Sequence, residues 1–207
     1  IEVVGAYASK DDVDSRYKSV QFQQFPQYNT YESLLDKVDA VYINAPLTQR
    51  NELIAAALEK GKHVLTEFPF GFNYQKAVEF IKTASEKGLV LMEGLKTAYC
   101  PAFGKMISLV KSGRIGKILS IEANFTQILG ENLQNQVRIA GGSVASLGAY
   151  PLLAIFKLLG YDYKKVEFIT HQENGIDTMT RMNFIYDGAI ATSLVAINAK
   201  AEGSLTI

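Results

Sequence analysis

The side chains in this sequence that could meet a ligand gather at three short segments: Ala8-Ser9-Lys10, Asn44-Ala45-Pro46 and Thr66-Glu67-Phe68-Pro69. Each closes a run of β-branched or apolar residues, and a parallel α/β sheet binds ligands beyond the carboxyl ends of its strands. Ser9 offers a hydroxyl, Lys10 a cation and Glu67 a carboxylate. Asn44 to Pro46 gives a turn where a flat ring could lie against backbone, although an ordinary strand-to-helix loop has the same composition. One cysteine, Cys100, and two histidines, His63 and His171, are too few for a cysteine-rich or histidine-built metal centre, so no metal site is expected.

Composition narrows the setting. The chain has 207 residues, 48% hydrophobic and 20% charged, enough for one large or two small cores. Lys plus Arg equals Asp plus Glu at 21 each, which predicts no attraction to nucleic acid or an anionic membrane. The apolar runs are shorter than the roughly 20 residues that span a bilayer, and the lone cysteine suits a reducing, cytoplasmic setting. The chain lacks a starting Met, opens on a strand-like run and closes on Ser204-Leu205-Thr206-Ile207, which predicts missing sequence at both ends.

The elements that must position these segments alternate at first. Residues 1–8 predict a strand, Asp12 to Ser19 a short helix, and Thr30 caps a helix through Leu34 and Leu35. Residues 39–44 form a near-continuous apolar strand. Thr48 is the expected cap of a helix burying Leu53, Ile54, Ala57 and Leu58, which Gly61 ends. His63 to Thr66 is the next strand. A helix over 74–86 carries Ala77, Phe80, Ile81 and Ala84 on one face, Gly88 ends it, and Leu89 to Met92 is again a strand. Apolar strands alternating with amphipathic helices predict a parallel sheet covered on both faces.

The rhythm changes after Gly94. Pro101 starts a helix carrying Phe103, Met106, Ile107 and Val110. Lys117 to Gln127 alternates as a long strand, and Gly141-Gly142 leads into a helix from Val144 to Leu159. Strands over 166–171, 178–186 and 189–198 follow, with Asp187-Gly188 as a two-residue hairpin turn. The sequence therefore predicts an α/β domain over 1–94 and an α+β domain with an open, predominantly antiparallel sheet over 95–207.

The segment Gly61-Lys62-His63-Val64-Leu65-Thr66-Glu67-Phe68-Pro69 resembles the Gly-Lys-His-Val-x-x-Glu-Lys-Pro signature of the Gfo/Idh/MocA oxidoreductases. Pro101 to Gly116 is similar to that family's domain-joining helix, and Gly141 to Pro151 to its Gly-Gly-Gly-x-x-x-Asp-x-Gly-x-His-Pro helix entry. The resemblance runs through essentially the whole chain. It implies a partial Rossmann domain followed by a substrate and oligomerisation domain, the first strand and Gly-x-Gly-x-x-Gly turn lying upstream of Ile1. It also implies hydride transfer between NAD(P) and a sugar, polyol or related alcohol or carbonyl. The implied cofactor contacts are Ser9, Lys10, Asn44, Ala45, Pro46, Glu67 and Phe68. Ser9 and Lys10 stand where an acidic residue would hold an NAD ribose, so the sequence leans to NADP over NAD. Assembly as a homodimer or higher homo-oligomer through the open sheet is implied too.

The signature lysine supplies that family's base, and Phe68 in its place can neither exchange a proton nor carry charge. Ser146 matches the helix-entry aspartate, Tyr150 the histidine four residues later, and Arg50 the histidine after the Ala-Pro turn. Tyr150 and Lys96 are the candidate catalytic side chains that remain. Two readings stay open: an oxidoreductase with a rewired site, or a catalytically impaired homologue that binds a cofactor or ligand or serves as a structural subunit.

Overall fold

The structure, a computed structural model, describes residues 1–8, 24–71, 73–129 and 141–207. The expected helix at Asp12 to Ser19 lies outside them, as do Ser9 and Lys10. The chain divides into two compact units, Ile1–Gly94 and Leu95–Ile207.

In the first unit, helix α1 (Tyr31–Leu35) precedes β1 (Ala40–Ile43), α2 (Leu47–Glu59), β2 (His63–Thr66), α3 (Tyr74–Glu86) and β3 (Leu91–Glu93). The three strands form a parallel sheet in the order β1-β2-β3, with Ile43 opposite Thr66 and Thr66 opposite Glu93. Thr30 caps α1 as expected, its Oγ1 accepting the Ser33 amide at 3.1 Å. Both long helices end in the same way. Gly61 takes φ +69°, its amide donates to Leu58 and the Lys62 amide to Ala57, so the last carbonyls are satisfied; Gly88 repeats the arrangement after α3. Val41, Ile43 and Val64 pack against Ile54, Ala57, Leu58, Phe80 and Ala84.

Four expectations for this unit change. Among the described residues, 1–8 form no strand, and Ala6 pairs with Gln27 in a single parallel bridge. A β-branched run becomes a strand only where a neighbouring ladder takes its amides and carbonyls. Thr48 does not cap α2; the helix begins at Leu47 after Pro46, whose ψ of 143° breaks the preceding backbone and which makes no side-chain cap. Ile81 is exposed on α3, where Phe80 and Ala84 fill the space against the sheet. The sheet is covered on one face: Tyr42, Leu65 and Met92, which lie in register on the other face, are exposed.

The second unit opens with a 3-10 turn (Lys96–Tyr99) and α4 (Pro101–Lys111), then β4 (Ser120–Thr126), α5 (Gly142–Leu147), α6 (Ala149–Leu159), β5 (Lys165–Glu173), β6 (Ile176–Tyr186), β7 (Ala189–Ala196) and β8 (Ser204–Thr206). The strand order is β5-β6-β7-β4-β8. All pairings are antiparallel except β4 with β7, which is parallel, so the sheet is mixed. The hairpin turn at Asp187-Gly188 forms as expected, with Tyr186 opposite Ala189. The predicted single helix from Val144 to Leu159 is instead two, beginning at Gly142 and interrupted at Gly148. Pro151, one turn on, has no amide to donate, which weakens the ladder there. Leu147 and Ile155 pack on Ile121, Met182, Phe184, Ala191 and Val195. Ile169, Met179, Arg181 and Ile190 are exposed.

The entry to α5 is fixed by an aspartate. Asp177 Oδ2 accepts the Ser143 hydroxyl at 2.6 Å, the Val144 amide at 2.8 Å and the Thr180 hydroxyl at 3.3 Å. Gly142 takes φ +88°, and a Cβ there would stand 2.7 Å from the Asp177 carbonyl oxygen. Only glycine fits both the angle and the close approach.

Burial also governs two tyrosines. It pushes the Tyr31 hydroxyl well above the ordinary tyrosine range, with Glu32 adding to the effect, and raises Tyr186, with Tyr163 and Asp162 contributing. The folded state therefore keeps protons that the unfolded chain releases above its tyrosine pKa of about 10. Stability is full below that pH and falls as pH rises past it. Denaturant midpoints measured between pH 9 and pH 11 are expected to drop, with a smaller drop in Tyr31→Phe. An identical slope in wild type, Tyr31→Phe and Tyr186→Phe would refute the assignment.

Candidate functional site at the carboxyl edge of the parallel sheet

Parallel strands β1 and β2 stop side by side, and the residues that follow them lie together. Glu67 continues the ladder by one bond, its amide donating to Ile43 at 3.0 Å. Asn44 and Pro46 are exposed, while Ala45, Glu67 and Phe68 are half-buried. Five of the sequence-predicted cofactor contacts are thus brought to one edge. Phe68 is joined to Pro69 by a cis peptide bond.

What holds this edge is a side chain that the sequence offered only as a departure from the family pattern. Arg50, on the first turns of α2, donates from Nε to the Ala45 carbonyl at 2.7 Å. Its Nη1 donates to the Glu67 carbonyl at 3.0 Å and the Pro69 carbonyl at 2.8 Å. One guanidinium therefore ties the loop after β1 to the loop after β2. An imidazole has two ring nitrogens and could not serve three carbonyls at once. Two carboxylates complete the frame. Glu93, at the end of β3, accepts the Phe70 amide at 2.8 Å. Glu67 Oε1 accepts the Tyr42 hydroxyl. Tyr42 lies on the same face as Leu65 in register, a placement that the near-continuous apolar run over 39–44 did not single out. Nothing in the sequence announced the roles of Arg50 and Glu93, because both act on backbone groups brought close only by folding.

The two candidate acids belong to the second unit. Lys96 is exposed on the 3-10 turn. Tyr150 is half-buried on α6, its ring 4.5 Å from the Phe125 ring of β4. The family-position counterpart of the aspartate, Ser146, is half-buried on α5.

An exposed amide side chain, an exposed proline face and a carboxylate, beyond the carboxyl ends of parallel strands, could hold part of a dinucleotide. The integrity of this edge depends on Arg50. Arg50→Ala is expected to lower stability by about 2–4 kcal/mol, because it releases three carbonyls from a charged donor. Arg50→Lys should recover little of that, since one ammonium cannot reproduce the fork. Urea unfolding measures the loss, and faster hydrogen exchange at the Phe70 amide reports the loosened loop. Wild-type stability in Arg50→Ala would exclude the clasp.

Comparison with known proteins places these features. Residues 2–95 match the Gfo/Idh/MocA oxidoreductase family with an NAD-binding Rossmann fold, and residues 103–207 match the GFO/IDH/MocA C-terminal domain. The dTDP-3,4-didehydro-2,6-dideoxy-alpha-D-glucose 3-reductase of Actinomadura kijaniata is 34% identical over 158 residues, 74% of this chain and 47% of that enzyme. The trans-1,2-dihydrobenzene-1,2-diol dehydrogenase of Sus scrofa is 30% identical over 190 residues, 87% of this chain and 56% of that enzyme. The structure of a 3-ketoreductase from Actinomadura kijaniata with TDP-benzene and NADP, in its open conformation, matches with a TM-score of 0.78 at 27% identity. That match covers 98% of this chain and 63% of the other. The chain spans about half the length of the curated relatives it matches. With both halves matched in order, and with a parallel unit followed by a mixed open sheet, the chain belongs to the Gfo/Idh/MocA oxidoreductase family.

Proposed function

We propose that this chain is the core of an NAD(P)-dependent oxidoreductase acting on a sugar, a polyol or a related alcohol or carbonyl compound. The observation that carries the reading is the clasped carboxyl edge of β1 and β2, in a chain of a family with an NAD-binding Rossmann fold. When bound there, the nicotinamide accepts or supplies the hydride. Asn44, Ala45, Pro46, Glu67 and Phe68 are the proposed contacts for it, with Phe68 offering a ring face. Ser9 and Lys10 are proposed to favour NADP, and the related ketoreductase was crystallised with NADP. Tyr150 and Lys96 are the proposed proton donors, Tyr150 ahead of Lys96 because it is packed and Lys96 is exposed.

The setting belongs to the same proposal. Among the described residues no helix is long and apolar enough to cross a membrane. A cytoplasmic, small-molecule enzyme is proposed, assembled as a homo-oligomer through the sheet face that exposes Ile169, Met179 and Ile190. A second reading, a cofactor-binding homologue without turnover, is favoured by one observation: Phe68 stands at the lysine position of the signature.

Purified protein assayed with NADPH and NADH against D-xylose, D-glucose, myo-inositol and a panel of aldehydes and ketones separates these readings. The first predicts turnover of at least one compound and a loss of about 100-fold or more in kcat for Tyr150→Phe. Nicotinamide binding with no turnover across the panel supports the second. Phe68→Lys is expected to raise turnover if the remainder of the site is intact. Failure to bind either cofactor would sink both.

A further inference from the structure

A phenylalanine at position 68 leaves the clasped edge without an amine, yet the edge is not without a group that exchanges protons. Among the described residues there, Arg50 stays protonated and holds three carbonyls, and Glu93 Oε1 is occupied by the Phe70 amide at 2.8 Å. Glu67 differs in the partner of its carboxyl, a side-chain hydroxyl instead of a main-chain amide, and in standing next to Phe68. Its amide donates to Ile43 at 3.0 Å, its carbonyl accepts from Arg50 at 3.0 Å, and its Oε1 accepts the Tyr42 hydroxyl. The carboxyl stands beside Gly94, just after β3: a Cβ there would lie 3.8 Å from Glu67 Cδ and Oε1. Main chain and one carboxyl oxygen are thus both fixed, in the residue next to Phe68 and at the edge shared with Asn44 to Pro46.

We infer that Glu67, positioned by the Tyr42 hydroxyl, exchanges the substrate's hydroxyl proton in place of an amine at position 68. The inference rests on the oxidoreductase reading above and revises its proton donor: Glu67, in the cofactor-binding unit, takes the role given there to Tyr150 and Lys96. In oxidation the substrate O–H bond breaks and its proton goes to a Glu67 carboxylate oxygen. The carbinol C–H bond breaks with its electron pair passing as hydride to the oxidised nicotinamide, and the carbonyl forms. In reduction the Glu67 carboxylic acid returns the proton to the oxygen as the carbonyl carbon gains hydride. The charged and titratable groups around it are Tyr42 from β1, Glu93 from β3 and Arg50 from α2. Tyr42 acts through Glu67 and is a positioning residue.

The test uses the purified protein, NADPH fluorescence for binding, and whichever compound of the panel the wild type turns over. The variants Glu67→Gln and Tyr42→Phe are both assayed at saturating NADPH, where kcat is expected to fall about 100-fold or more in Glu67→Gln and about 10-fold in Tyr42→Phe, with NADPH affinity within about 3-fold of wild type in Tyr42→Phe. The acid limb of the pH profile should vanish in Glu67→Gln, and added formate should restore turnover to Glu67→Ala, which a merely structural role would not allow. Turnover within about 3-fold of wild type in Glu67→Gln overturns the inference and leaves the oxidoreductase reading standing, with Tyr150 as the acid. A Glu67→Gln variant whose kcat returns to within about 3-fold of wild type once NADPH is saturating also overturns it, leaving Glu67 a cofactor contact alone. A wild type that binds neither nicotinamide cofactor, or binds and turns over nothing, overturns the inference together with the reading on which it rests.

Discussion

Where parallel strands stop, their last carbonyls lose the partners that the ladder supplied, and something must satisfy them. In the first unit Arg50 does this for Ala45, Glu67 and Pro69 together. A charged, planar donor on the first turns of α2 converts two separate loops into one surface. The positions of Asn44, Pro46 and Phe68 follow from that surface. The same helix buries Ile54, Ala57 and Leu58 against the strands, so the clasp is anchored by the hydrophobic core beneath it.

The second unit solves a similar problem with the opposite charge. The first amides of α5 have no intrahelical acceptors, and the Asp177 carboxylate of β6 accepts one of them, that of Val144, together with the Ser143 hydroxyl. Gly142 makes room for that approach. The interruption at Gly148 then sets the start of α6, which places Tyr150 against Phe125. Both candidate regions thus rest on a long-range polar contact to backbone, with apolar packing underneath.

A phenylalanine at position 68, where the resemblance puts a lysine, would alter the chemistry more than the fold. A large apolar side chain at a half-buried strand end is compatible with packing, and the backbone on either side is held by groups that do not involve it. The fold can therefore keep the edge with a phenylalanine at position 68. A scaffold held by backbone contacts tolerates such a change because function is carried by a few side chains set on it.

By itself the sequence determined what local chemistry dictates. The 3.6-residue spacing of Ile54, Ala57 and Leu58, the cap at Thr30, the stops at Gly61 and Gly88, and the Asp187-Gly188 turn all act over a few residues and were legible directly. The signature around Gly61 to Pro69 fixed the family, and with it the place of the candidate edge. The tertiary structure decided what depends on residues far apart in the chain. Residues 1–8 looked like a strand because they are β-branched, but a strand needs a ladder, and among the described residues they have a single bridge, at Ala6. Periodicity could not show that one face of the first sheet stands exposed, or that β4 pairs parallel to β7. Arg50, Glu93, Asp177 and Tyr42 each act on a group at least 17 residues away, beside the local contacts of Arg50 with Ala45 and of Asp177 with Thr180. No pattern of spacing announces such contacts, since folding alone brings the partners within hydrogen-bond distance.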